Sequence, residues 1–159
     1  MDYAKLPYRL GALGIVFDRD DSILIVQLND YAHDEWNFPG GGRDPGETGE
    51  QNVLRELSEE LGVSQADFEI IAKCSQPAKY DFPEEMRERG VPRALKYRGQ
   101  MKDQFFVRFV GDKAKINIDR DELKAYKWVR TDELESYLLF EGQYDMAKRC
   151  VQEYEALIR

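Results

Sequence analysis

Histidine is almost absent from this chain, the single example being His33 in a polar segment before Trp36. A loop position is expected for it, and no histidine-based triad can be drawn. Cysteine is nearly as scarce: Cys74 and Cys150 stand apart, with no C-x-x-C pair and no second histidine to complete a zinc set. They read as ordinary reduced thiols. The sequence shows no apolar run long enough to cross a bilayer, no charged-then-apolar leader and no lipidation motif. These absences predict a soluble, cytoplasmic protein with no membrane partner. Positive charge is also in deficit, with 23 Lys and Arg against 31 Asp and Glu and a formal charge of -8. Coating of duplex nucleic acid draws on phosphate neutralisation, so that class of function is disfavoured. A nucleotide end, which needs only a local basic patch and a metal ion, stays within reach. Internal repeats and low-complexity linkers are lacking as well.

What is present suffices for one core. A chain of 159 residues with 42% hydrophobic content is most simply a single domain over residues 1–159. Arg9 to Phe17 and Ser22 to Leu28 are strand-like apolar runs on either side of a turn at Asp18-Arg19-Asp20-Asp21. Phe68 to Ser75, Gln104 to Val110 and Ala125 to Arg130 read as further strands, with Phe105, Val107 and Phe109 alternating. A short helical segment opens at Thr131, and Asp145 to Ile158 has the pattern of a longer helix. This is an α+β chain with a mixed sheet between helices. Pro77 to Gln100, rich in proline and charge, reads as a long loop and a candidate substrate lid.

The densest signal lies between Gly41 and Val63. From Glu50 to Leu61, Val53, Leu54, Leu57 and Leu61 recur at three- and four-residue spacing, the mark of an amphipathic helix. Thr48 with Gln51 has the form of a capping box, and Gly62 stands where a left-handed terminus is wanted. Glu56, Glu59 and Glu60 fall in one arc of that helix, and Arg55 can pair with only part of their charge. At least one carboxyl group should therefore titrate high, unless a divalent cation resolves the repulsion. Hard oxygen donors of this kind suit Mg²⁺ or Mn²⁺. Ahead of the helix, Trp36-Asn37-Phe38-Pro39-Gly40-Gly41-Gly42-Arg43-Asp44-Pro45-Gly46 forms a glycine-rich loop able to bring backbone groups close to a ligand.

Written as G-x5-E-x7-R-E-U-x-E-E-x-G-U, with U aliphatic, Gly41 to Val63 resembles the Nudix box at every position. The flanks, among them Tyr8-Arg9, Trp36-Asn37-Phe38-Pro39, Tyr80-Asp81-Phe82-Pro83, Tyr97-Arg98-Gly99-Gln100, Glu122 and Trp128-Val129, are similar to the bacterial RNA 5'-pyrophosphohydrolase and dinucleoside polyphosphate hydrolase subgroup of that superfamily. The resemblance implies an α/β/α sandwich around a mixed sheet. It also implies hydrolysis of a phosphoanhydride by activated water, with Glu56 and Glu60 as principal metal ligands. Glu59 would be a further ligand or the general base, Glu122 an additional ligand, and Gly41 or Gly42 a carbonyl donor. Arg55 with Glu47 would keep helix and loop in register.

For the substrate, the resemblance makes Arg9 a phosphate contact. Lys79, Lys96 and Arg98 are further local cations, and Tyr80 and Phe82 either stack on a base or pack the lid. The chain departs from its subgroup in two places: Gln27-Leu28 stand where basic residues are common, and where the pattern is R-G-Q-x-Q-K-W-F it has Arg98-Gly99-Gln100-Met101-Lys102-Asp103-Gln104-Phe105. The expected substrates are a dinucleoside polyphosphate or an RNA 5'-triphosphate end. A house-cleaning nucleoside triphosphate or nucleotide-sugar pyrophosphatase is the alternative enzyme, and a non-catalytic Nudix ligand sensor the alternative of another class.

Overall fold

A computed structural model describes residues 2–159. Strands β1 (Tyr8–Phe17), β2 (Ile23–Leu28) and β3 (Gly40–Gly42) precede helix α1 (Gly49–Leu61). Then follow β4 (Phe68–Lys73), β5 (Ala78–Asp81), α2 (Glu84–Glu88), α3 (Pro92–Lys96) and β6 (Gly99–Phe109). Strand β7 (Leu123–Val129) and helices α4 (Leu134–Tyr137) and α5 (Gln143–Leu157) complete the chain. The strands form one sheet in the order β4-β6-β1-β2-β7, with β3 added to β1 and β5 to β6. β1 and β6 run parallel and the other pairs antiparallel, so the sheet is mixed.

Strands β1 and β6 are covered on both faces, which is why β1 is buried without a break from Gly11 to Phe17 and β6 from Gln104 to Val107. On one face Ala12, Val16, Phe105 and Val107 pack with Val53, Leu57 and Leu61 of α1. On the other, Leu13, Ile15, Phe17 and Phe106 pack with Cys150, Val151 and Tyr154 of α5. The result is the α/β/α layering expected from the sequence. The turn between β1 and β2 is held by Asp18, whose Oδ1 accepts the N–H groups of Asp20 (2.8 Å) and Ser22 (2.9 Å). Both cysteines are buried and unpaired as disulfides.

Helix α1 has the ends its sequence announced. The Thr48 hydroxyl accepts the Gln51 N–H, and the Gln51 side chain accepts the Thr48 N–H at 2.9 Å. At the other end Gly62 takes φ 64°, a left-handed conformation that glycine adopts without steric cost. The last carbonyls of α1 do not go unmet. Asn117 N–H donates to Leu61 O and Asp119 N–H to Glu60 O, both at 2.9 Å. This tie docks residues 117–122 against the helix end and brings Glu122 beside the acids of α1.

The 77–100 segment differs from the loop expected of it. It contains β5, paired with β6 from Ala78↔Lys102 to Asp81↔Gly99, and the two short helices α2 and α3. β6 accordingly begins at Gly99 rather than Gln104. Beside the β5–β6 ladder, Arg87 donates to the carbonyls of Phe82 (3.2 Å), Ala94 (3.1 Å) and Arg98 (3.0 Å), tying the short elements together. Elements of four or five residues are too short for a periodic pattern to reveal.

Candidate active site

Strand β3 consists of three glycines, and each one receives a different functional side chain. Gly40 N–H donates to Glu60 Oε2 at 3.1 Å. A Cβ on Gly41 would lie 2.5 Å from the Glu56 carboxyl carbon, and one on Gly42 would overlap the Arg9 guanidinium. The glycines are thus the floor on which two acids and one cation converge. Gly41 carbonyl, the expected metal donor, accepts Asn52 Nδ2 at 3.4 Å.

Glu56, Glu60 and Glu122 form a triad whose nearest carboxylate oxygens all lie within 4.8 Å of one another. Glu56 and Glu60 are one helical turn apart, and Glu122 arrives through the Asp119 to Glu60 backbone bond. Glu60 is only 2% exposed. Burial, with Glu56 and Glu122 adding repulsion, pushes its carboxyl group well above the usual range against the pull of the Gly40 N–H and Lys102. Burial also raises Glu56, although Arg55 opposes the shift. Three crowded oxygen donors, one buried, one half-buried and one exposed, are a donor set for a hard divalent cation with room left for other ligands. The residues fit such an ion.

Arg55 fixes the frame of the triad. It donates through Nε and Nη2 to Glu47 (2.7 and 3.0 Å), through Nη2 to Gly42 O (2.8 Å) and through Nη1 to Glu56 (2.8 Å). Loop, glycine strand and helix are joined at one guanidinium, and Arg55 holds the Glu47 carboxyl group below its ordinary range. Glu59 lies outside the triad. Its side chain is largely exposed and accepts Arg55 Nη1 at 3.3 Å.

The expected substrate residues fall into two groups. Arg9 lies against Gly42, one residue along the glycine strand from the Gly41 that meets Glu56. Tyr80 shares the sheet face of Arg9 across Gln100, is 40% exposed, and has a hydroxyl that accepts Gln100 Nε2 at 2.6 Å. Phe82, by contrast, is 4% exposed and meets Tyr80 edge-on, so its ring packs the segment onto the core. Lys79 alternates to the opposite face of β5 from Tyr80 and lies 4.7 Å from the Tyr8 ring centroid. Arg98 is committed to Asp81 at 3.0 Å and also lies over Tyr8.

Two residues that sequence reasoning did not single out stand in the site. Buried Asn52 donates to the carbonyls of Gly41 and Gly42 (3.4 and 3.1 Å), tying α1 to β3. Lys102 projects from β6 on the sheet face opposite α1, its ammonium pushed down to about 8 by burial and by Arg9, against the pull of Glu60 and Glu56. The strand alternation of Phe105, Val107 and Phe109, carried back past Gln104, would have put Lys102 and Gln100 together on the face opposite to those rings.

A pH dependence follows from Glu60. Its folded pKa is raised above an unfolded value of about 4.3. In the metal-free protein this group contributes stability at low pH that is lost as pH rises through the folded pKa. A cation needs the ionised form, so its stabilisation should grow in the opposite direction. Thermal melts with and without a fixed concentration of Mg²⁺ should show a metal-induced shift that grows as pH rises through the raised Glu60 titration. A shift independent of pH would refute the coupling.

The chain matches the NUDIX domain over residues 7–150. It is 35% identical to an RNA pyrophosphohydrolase of Erythrobacter litoralis, covering 99% of this chain and 96% of that protein. It is 30% identical to the RNA pyrophosphohydrolase of Rickettsia prowazekii at the same coverage of both chains. Among solved structures, the MutT protein of Methanosarcina mazei superposes with a TM-score of 0.69 at 17% identity, covering 94% of this chain and 97% of that one. A family match spanning most of the chain, with the acids of the box gathered on the glycine strand, places it: the protein belongs to the NUDIX domain family.

Proposed function

We propose that this protein is a divalent-metal-dependent pyrophosphohydrolase that cleaves a phosphoanhydride at the 5'-triphosphate end of RNA, using Mg²⁺ or Mn²⁺ held by Glu56, Glu60 and Glu122. The observation that carries the reading is the triad itself, with a buried Glu60 that has one N–H for a partner and two acids for neighbours. The RNA end is supported by relatives of that name along almost the whole length of the chain. When bound, the cation supplies Lewis acidity, lowering the pKa of water and neutralising phosphate charge.

The chain's own residues supply position and proton transfer. Arg55 keeps Glu56 aimed across Gly41 and acts through it, as a positioning residue. Glu59, outside the triad and open to solvent, is our choice to take the proton of the attacking water. Arg9 holds phosphate oxygens next to the glycine strand, and the exposed ring of Tyr80 offers a surface for a base. Gly41 carbonyl, near the triad, is a further candidate donor to the cation.

The test is a product assay with Mg²⁺ or Mn²⁺ on triphosphorylated RNA, diadenosine tetraphosphate, nucleoside triphosphates and a nucleotide sugar. RNA carrying a 5'-monophosphate is the expected product, formed faster than any other in the panel. Faster cleavage of diadenosine tetraphosphate would move the assignment to dinucleoside polyphosphates. Folded protein that releases nothing from any of them would end the hydrolase reading.

A further inference from the structure

We propose that Lys102 is a second phosphate-binding residue of this active face, contacting the polyphosphate chain of the substrate beside Arg9. The proposal rests on the pyrophosphohydrolase reading and deepens it.

Register places Lys102 on the face that carries Arg9. Gly11 and Arg9 are two apart on β1, and Lys102 and Gln100 lie opposite them on β6. Tyr80 in turn lies opposite Gln100 on β5. Side chains two apart share a face of a strand, so Arg9, Gln100, Lys102 and Tyr80 form one surface. Asp103 alternates to the other side, where it pairs with Arg43 at 3.2 Å.

Gly11 makes room for the lysine. A Cβ at that position would lie 3.3 Å from Lys102 Cγ and 2.6 Å from Gly41 O. The lysine stem therefore crosses bare backbone beside the same glycine strand that receives Glu56, Glu60 and Arg9.

The ammonium lacks a partner. Lys102 is half-buried, yet among the described residues no carboxylate comes within ion-pair distance of it and no hydrogen bond reaches it. The nearby charges that disfavour it are Arg9 and Arg93. A half-buried cation beside two others is costly unless an anion joins them. Glu56 and Glu60 are too distant to pair with it and are committed to the metal site. An anion that binds the metal on one side and these cations on the other satisfies both groups, and a polyphosphate chain is such an anion. Lysine suits the role as a compact point charge with rotatable donors.

A structural role makes a different forecast. If Lys102 only offset the charge of the triad, removing it would tighten metal binding and leave substrate recognition untouched. Lys102→Met and Lys102→Gln should therefore be measured at saturating Mg²⁺, with the wild-type protein's best substrate from the panel. The expected result is a loss in kcat/KM of roughly 30-fold or more, partly rescued in Lys102→Arg, with unchanged or higher melting temperature. Calorimetry with inorganic pyrophosphate and Mg²⁺ should show weaker binding by a similar factor, a readout independent of turnover. Values within twofold of wild type in both measurements, or a change confined to the metal activation constant, would overturn the proposal. Wild-type protein inactive on every substrate would sink the functional reading instead, and pyrophosphate binding would then decide Lys102 alone.

Discussion

Glu60→Gln should reduce turnover by about three orders of magnitude, or roughly 4 kcal/mol of transition-state stabilisation, while leaving the metal-free protein as stable as before or more so. The two halves of that expectation have one cause. Glu60 is the buried member of the triad, and burial with like-charged neighbours holds its carboxyl group well above its ordinary range. Without a cation, the folded state carries the cost of an ionisable group in a poor place. The amide keeps the shape and removes the charge, so that cost falls. The same amide is a weak ligand for a hard cation, and the catalytic charge is lost with it. Steady-state rates at saturating Mg²⁺ and melting curves in chelator would check both halves. Full activity, or a drop of several degrees in the metal-free melt, would contradict them.

Gly41→Ala should cost about a hundredfold in kcat/KM with little loss of fold. The added methyl carbon would sit 2.5 Å from the Glu56 carboxyl carbon and 2.6 and 2.8 Å from its oxygens. Contact that close cannot persist, so the carboxylate must move, and displacement of about 1 Å in a catalytic constellation is enough for a loss of that order. The backbone at Gly41 is not left-handed, so alanine introduces no φ strain there. Arg55, bonded to Glu56 and to Gly42 O, would be pulled with the displaced acid. Activity assays beside a circular dichroism melt separate the site from the fold. Activity within threefold of wild type would show that the close packing of glycine against Glu56 is incidental.

The parts of this site that were legible in the sequence are local. α1 announces itself by its apolar spacing, and its caps at Thr48 and Gly62 are four-residue and one-residue signals that need no knowledge of the fold. Glu56 and Glu60 share a face by helical geometry alone. Glu122 is different: it lies 62 positions beyond Glu60 and reaches the triad only because Asp119 and Asn117 bond to the end of α1. Family resemblance pointed to it where residue spacing could not. Lys102 and Asn52 were missed because their meaning depends on what lies across the sheet, Gly11 and Gly41 for the one and the carbonyls of β3 for the other. Phe82 and Tyr80 sit two apart in sequence with similar chemistry, and only the packing around β5 and β6 buries the first and leaves the second open. The 77–100 segment read as a loop because its order comes from four- and five-residue elements, a pairing with distant β6 and Arg87 reaching three carbonyls, none of which leaves a periodic trace.

The most direct test of the central claim, that the triad holds the metal, is a titration of Mn²⁺ into the protein followed by electron paramagnetic resonance of the free ion. Wild-type protein should deplete the free-ion signal. Glu56→Gln and Glu60→Gln should leave it close to that of buffer, with both variants still folded. Equal depletion by wild type and variants would contradict the claim and move the metal away from Glu56, Glu60 and Glu122.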